Sequence, residues 1–153
     1  KRYDEAIRSF QEARALYKSN KEVIHVARCD QKIASCYVEL SDGDAALESA
    51  RKALDVFETA HDHLRETFAL FEYGKAQVLL GKLEEGLDSL DTVLQTATEE
   101  DPKDFEFIVD IESRMAAVMR TLGRTKEADE VERRLASVRD AMIEDTNNED
   151  ERA

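Results

Sequence analysis

The stretch that decides the fold is GDAALESARKAL, residues 43–54, because three other stretches of the chain repeat its outline. These are RYDEAIRSFQEA at 2–13, KLEEGLDSLDTVL at 82–94 and RTKEADEVERRL at 124–135. One small residue coincides in all four, at separations of 40, 40 and 42 residues: Ala6, Ala46, Gly86 and Ala128. Such a period indicates stacked helical repeats, in which each unit buries its apolar face against its neighbours.

The composition agrees with an all-helical chain. Of the 153 residues, 42% are hydrophobic and 37% charged, with only 5 Gly and 1 Pro, which favours long amphipathic helices. Apolar residues spaced three and four apart predict about seven helices, and short connections make neighbouring helices antiparallel. We therefore predict an all-α fold, a right-handed α-solenoid of antiparallel helix pairs. Its expected parts are a half repeat at 1–20, repeats at about 21–60, 61–100 and 101–143, and a mobile acidic tail at 144–153.

Turn and cap residues predict where the helices end. Gly43, Gly81 and Gly123 are expected to close the second, fourth and sixth helices in a left-handed conformation. Asp44 is expected to cap the third helix, and the Asp101-Pro102 pair to begin the sixth.

The net charge of −13 argues against nucleic acid and anionic membranes as partners, because a phosphate backbone is bound by clustered Lys and Arg. No transmembrane run or signal peptide is recognisable. Cys29 and Cys36 lie two helical turns apart, too far for a disulfide, and are expected to be free thiols in a reducing, cytoplasmic setting.

The first helix occupies the second position of a helix pair, so its partner is missing from the sequence. We expect that the chain is part of a longer protein, or that this helix associates with another copy. Both alternatives remain open at this point.

The repeating small and large apolar residues resemble the tetratricopeptide repeat (TPR). In the first full unit Ile33, Ala34 and Tyr37 occupy positions of its L-G-x2-Y signature, and Ala46 follows nine residues later. Tyr73-Gly74 and Met115-Ala116 occupy the same positions in the later units. The period exceeds the usual 34 residues, and the chain is most similar to the long-repeat branch of the family.

The resemblance implies a groove on the inner face, formed by the first helix of each pair, that binds a peptide or protein segment. The groove positions are these: Arg28, Gln31, Lys32, Ser35, Phe68, Phe71, Lys75, Arg114 and Arg120. Together with Glu39, Glu72 and Asp110 they would give the groove a charge of +2, which favours acidic peptides or a C-terminal carboxylate. Phe68 and Phe71 would form an aromatic patch that only a ligand or partner could cover. The alternatives are ordinary solvated helix positions and simple core packing.

We find no nucleophile beside a base, no phosphate-binding Gly-rich loop and no metal-ligand set in the sequence, so it predicts neither an enzyme nor a cofactor or metal site. The predicted function is that of a protein-interaction scaffold. The alternatives are a structural or oligomerisation segment, and the sensor region of a larger multidomain regulator.

Overall fold

The computed structural model describes residues 1–100 and 104–152, and the side chains of residues 1–100 and 104–140. This part of the chain forms seven α-helices and no strand, which confirms the all-helical prediction. In order they are α1 (Arg2–Ser19), α2 (Val23–Glu39), α3 (Gly43–Thr59), α4 (His63–Leu79), α5 (Leu83–Glu100), α6 (Phe105–Thr121) and α7 (Thr125–Arg152). Each helix packs against the next, and α2 also packs against α4. A contact such as that between α2 and α4 is expected between the first helices of adjacent pairs.

A left-handed residue stands between consecutive helices at a regular interval. Lys21, Ser41, His61 and Gly81 all have φ between +54° and +75° and recur every 20 residues. Gly123 has φ +76° between α6 and α7. In the connections that the structure describes, the backbone thus repeats at half the period that the side chains show, because the helices end in the same type of turn. Gly81 and Gly123 take the closing conformation that was predicted for them.

The prediction for Gly43 and Asp44 was wrong by two residues. Ser41 takes the left-handed conformation, with φ +58°, and Asp42 caps α3 by accepting a hydrogen bond of 3.1 Å from the Ala45 backbone N–H. Gly43 is instead the first residue of α3 and is buried beneath Leu80, whose Cγ would lie 2.9 Å from an added Cβ. Glycine is needed there for close packing rather than for the turn.

The start of α6 follows the same capping rule. Asp104 accepts a hydrogen bond of 3.1 Å from the Phe107 backbone N–H, and the helix begins at Phe105. The predicted roles of Asp101 and Pro102 concern positions outside the described residues.

Small residues lie where consecutive helices cross. Ala34, Ala46 and Ala128 are buried, and Gly74 and Gly86 occupy the crossing of α4 and α5. A Cβ on Gly86 would come within 2.6 Å of Val78 Cγ2, so this pair of helices approaches more closely than an alanine would permit. The largest core cluster lies beside this crossing, between α4, α5 and α6, and includes Leu90 and Ile111.

The two end helices are attached partly by charged groups. Arg14 on α1 binds the buried Asp30 of α2, with Nε 2.6 Å from Oδ1. Arg134 on α7 binds Glu112, a buried residue of α6. Helix α7 continues to Arg152, into the segment expected to be a mobile tail, whose mobility stays a prediction.

Candidate partner-binding face

The candidate site is a cavity of about 460 Å³ among the C-terminal halves of α2, α4 and α6, with α5 contributing to its wall. Its apolar wall consists of six residues: Val38, Val78, Leu79, Leu83, Leu90 and Val118. Lys75, Arg114 and Glu39 supply its charged groups, and the exposed Ala117 lies on its rim. A pocket of this size with few polar groups is typical of a ligand site.

At their N-terminal halves, α4 and α6 are joined by aromatic side chains. Phe107 of α6 lies 5.1 Å from Phe68 and 5.2 Å from Phe71 between ring centroids, the second pair edge to face. Phe71 is 5% exposed and belongs to the largest core cluster. The expectation that only a ligand or partner could cover these rings was therefore wrong for Phe71, which Phe107 covers from within the chain, whereas Phe68 is half-buried.

Lys75 is a buried ammonium group on the wall of the cavity. Its Nζ lies 2.8 Å from Oε2 of Glu72 and 4.4 Å above the Phe71 ring, and both charged side chains are 8% exposed. Glu72 Oε2 is buried, and Lys75 Nζ is the one described group that compensates its charge. The two charges therefore neutralise each other in the wall of the cavity.

Arg114 and Arg120 lie on different sides of α6. Arg114 borders the cavity, with its Cζ 5.6 Å from the Phe71 ring centroid, and its Nε donates to Asp110 at 2.9 Å. Arg120 instead donates to Asp129 and Glu132 of α7. Hydrogen bonds to these carboxylates raise the pKa of Arg120. Arg120 therefore contributes to the packing of α6 against α7 and does not border the cavity, contrary to its expected position.

The α2 positions of the predicted groove remain open to solvent. Arg28 and Lys32 are exposed and form no ion pair with any described residue, whereas Gln31 and Ser35 are half-buried. The predicted groove charge of +2 is consequently distributed unevenly, since Lys75 faces Glu72 and Arg114 binds Asp110. The uncompensated positive charge lies on α2.

The two cysteines are buried and free, as predicted. Burial raises the pKa of both thiols, and the charges of Asp30 near Cys29 and of Glu72 near Cys36 raise it further. A raised pKa keeps a thiol protonated and unreactive. Among the residues whose side chains are described, no group of three His, Cys, Asp or Glu is placed to hold a metal ion.

Sequence reasoning overlooked Phe107 and the apolar wall of the cavity. The last unit is two residues longer than the others, and Phe107 aligns with Thr67 at 40 residues or with Arg65 at 42, so the repeat shows no second aromatic residue at this position. The available signal is the spacing of Phe107, Ile111, Arg114 and Val118, which places them on one side of α6.

The comparisons with known proteins bear on the fold. No family model matches the sequence, and no curated protein does. The chain is similar to the crystal structure of a protein from Podosopora anserina that is described as a kinesin light chain with nearly identical TPR-like repeats. The TM-score is 0.66, with 92% of this chain and 68% of that chain covered, at 14% sequence identity. The fold is tetratricopeptide-like. The identity is low enough that this similarity concerns the fold alone.

No helix in the described part has the length and apolar character needed to cross a membrane.

Proposed function

We propose that this TPR-like domain is a protein-interaction scaffold that holds a partner segment against α2, α4 and α6. The observation that supports this most is the open cavity among these three helices, which combines apolar walls with charged rim positions. Scaffolds built of stacked repeats present extended surfaces of this kind. Recognition, rather than catalysis, is the role that this arrangement suits.

The partner chemistry follows from which charges are free. Arg28 and Lys32 favour an acidic group on the part of the partner that crosses α2, because neither side chain is paired with a described residue. Near α4 and α6 the charges are compensated, and the apolar wall favours an aliphatic or aromatic side chain. The partner segment is therefore acidic at one point and apolar at another.

Photo-crosslinking tests which face of the domain is used. Benzoylphenylalanine placed at Ala117, an exposed position on the cavity rim, is expected to crosslink a partner protein in cells. The matched control has it at Thr92, an exposed position of α5 outside this cavity. A partner crosslinked from Thr92 but not from Ala117 would place recognition on the other face.

A second candidate function, a structural role in self-association, is favoured by the exposed apolar residues of α1. Leu16 is 68% exposed and Tyr3 43% exposed. Light scattering over a range of concentrations separates the two functions. Self-association through α1 is supported if the mass of the natural protein rises with concentration while the Leu16→Lys variant stays monomeric.

A further inference from the structure

Lys75 is the group in the cavity that most requires explanation. An ammonium group has three donors. The carboxylate of Glu72, 2.8 Å away, is the one acceptor that the described side chains place beside Lys75 Nζ. Its side chain is 8% exposed and lines the cavity, so its unused donors are available to a molecule inside.

Arg114 offers further donors to the same space. Its Nε donates to Asp110, which is the one hydrogen bond that its guanidinium makes to a described side chain. A guanidinium has five N–H donors, so both terminal nitrogens remain free. Lys75 Nζ and Arg114 Cζ lie 4.4 Å and 5.6 Å from the centroid of the Phe71 ring, and both residues line the cavity.

The rest of the cavity is apolar. Val38, Leu79 and Val118 line it, and it holds about 460 Å³, within the range of sites for small molecules. Glu39 also borders it and is exposed. Its negative charge disfavours a second carboxylate on a bound molecule.

We propose that this cavity binds a small monocarboxylate with an apolar body, whose carboxylate accepts hydrogen bonds from Lys75 and Arg114 while its apolar part contacts the aliphatic wall. Hydrogen bonds between ionised groups are about twice as strong as neutral ones. The site requires no protein partner. It shares its walls with the proposed partner-binding face, so an occupant also changes the surface that a partner contacts.

Octanoate is a suitable probe, with octanamide as its neutral analogue and octanedioate as its dicarboxylate. For a ligand of about ten non-hydrogen atoms, we expect a Kd between about 0.1 and 1 mM. Titration is followed by NMR of the Leu and Val methyl groups. Octanoate should shift the signals of Leu79 and Val118 and leave those of the exposed Leu16 on α1 unchanged. Octanamide and octanedioate should each bind about tenfold more weakly.

Two variants test the assignment. Lys75→Met is combined with Glu72→Gln, so that no buried carboxylate loses its counter-charge. The double variant should bind octanoate about tenfold more weakly and octanamide with unchanged affinity. Ala117→Phe, at an exposed position of the rim, should block octanoate without disturbing the core, whereas Ala136→Phe on the exposed side of α7 should not.

The proposal is overturned if octanoate and octanamide bind equally, if Ala117→Phe leaves octanoate affinity unchanged, or if the methyl signals of the cavity do not shift at about ten times the expected Kd. None of these outcomes bears on whether Ala117 crosslinks a protein partner. The ligand site and the partner-binding face can therefore fail independently.

Discussion

At the scale of single residues, small side chains set the distance between α4 and α5. Gly86 faces Val78 Cγ2, the Gly74 carbonyl oxygen and the Val78 backbone nitrogen, which would lie 2.6, 3.1 and 3.2 Å from an added Cβ. Two of these atoms belong to the backbone of α4 and cannot move without the helix. The corresponding positions in the other pairs are alanines, Ala46 and Ala128.

Replacing Gly86 by alanine should destabilise the domain by about 1–3 kcal/mol, because overpacking forces α4 and α5 apart. Urea unfolding followed by circular dichroism measures this change. Val78→Ala removes the nearest atom. The double variant Gly86→Ala/Val78→Ala should therefore lose less stability than the sum of the losses of the two single variants. Strictly additive losses would mean that Val78 does not limit the approach of the helices.

The stability that Asp62 contributes as the cap of α4 depends on pH. Its burial opposes ionisation, but hydrogen bonds from the guanidinium and backbone N–H of Arg65 outweigh this and lower the pKa of Asp62. A carboxyl whose pKa is lower in the folded protein stabilises it above the unfolded value of about 3.9. That stabilisation is lost as the pH falls through the lower folded pKa.

The control for this effect is Asp62→Asn, since asparagine caps helices equally well but carries no charge. At pH 7 the natural protein should be more stable than Asp62→Asn by about 0.5 kcal/mol, the scale of a surface ion pair. The difference should shrink as the pH falls below the unfolded value of about 3.9 and should vanish once the pH lies below the lowered pKa of the folded Asp62. A constant difference from pH 7 to pH 3 would contradict the role of the charge.

At the scale of helices, α1 depends on α2 for its attachment. Ile7 is the buried apolar residue of α1, Tyr17 stacks on His25 with 4.8 Å between ring centroids, and Arg14 binds Asp30. Much of this contact is thus polar or aromatic rather than aliphatic. The carboxylate of Asp30 lies in the interior, 6% exposed, so the charge of Arg14 is required to compensate it.

Removing Arg14 alone should therefore destabilise the domain more than removing Arg14 and Asp30 together. Arg14→Met leaves a buried carboxylate without its counter-charge and should destabilise the domain by about 1–3 kcal/mol. Arg14→Met combined with Asp30→Met replaces both partners by apolar groups and should recover most of the loss. Thermal unfolding of the three proteins measures this. A double variant less stable than Arg14→Met would show that Asp30 stabilises the helix in some other way.

The helices were predictable from the sequence because their periodicity and caps are local. Gly81 and Gly123 could be assigned to turns for this reason. Ser41 could not, because only its place directly before the capping Asp42, seen again at His61 and Asp62, shows that a non-glycine residue occupies the left-handed position. Gly43 was misleading, since its role in packing against Leu80 depends on a helix 37 residues away in the chain.

At the scale of the whole molecule, regular stacking accounts for where the site lies. Helices α2 and α4 pack against each other, while α4 and α6 meet through Phe68, Phe71 and Phe107 and leave a cavity towards their C-terminal ends. The sequence predicted which helices form this face. It could not predict the cavity, because Phe107 and Arg120 follow the local geometry of a longer last unit rather than the 40-residue register.

The most direct test of recognition by α2, α4 and α6 is the affinity for a partner identified by crosslinking from Ala117. Titration calorimetry compares the natural protein with Arg28→Glu/Lys32→Glu, which reverses the two unpaired charges of the face. The matched control is Arg51→Glu/Lys52→Glu on the exposed side of α3. We predict that the Kd rises at least about tenfold for the first variant and about twofold at most for the control. Equal affinities for the two variants, with helicity unchanged, would contradict recognition by this face.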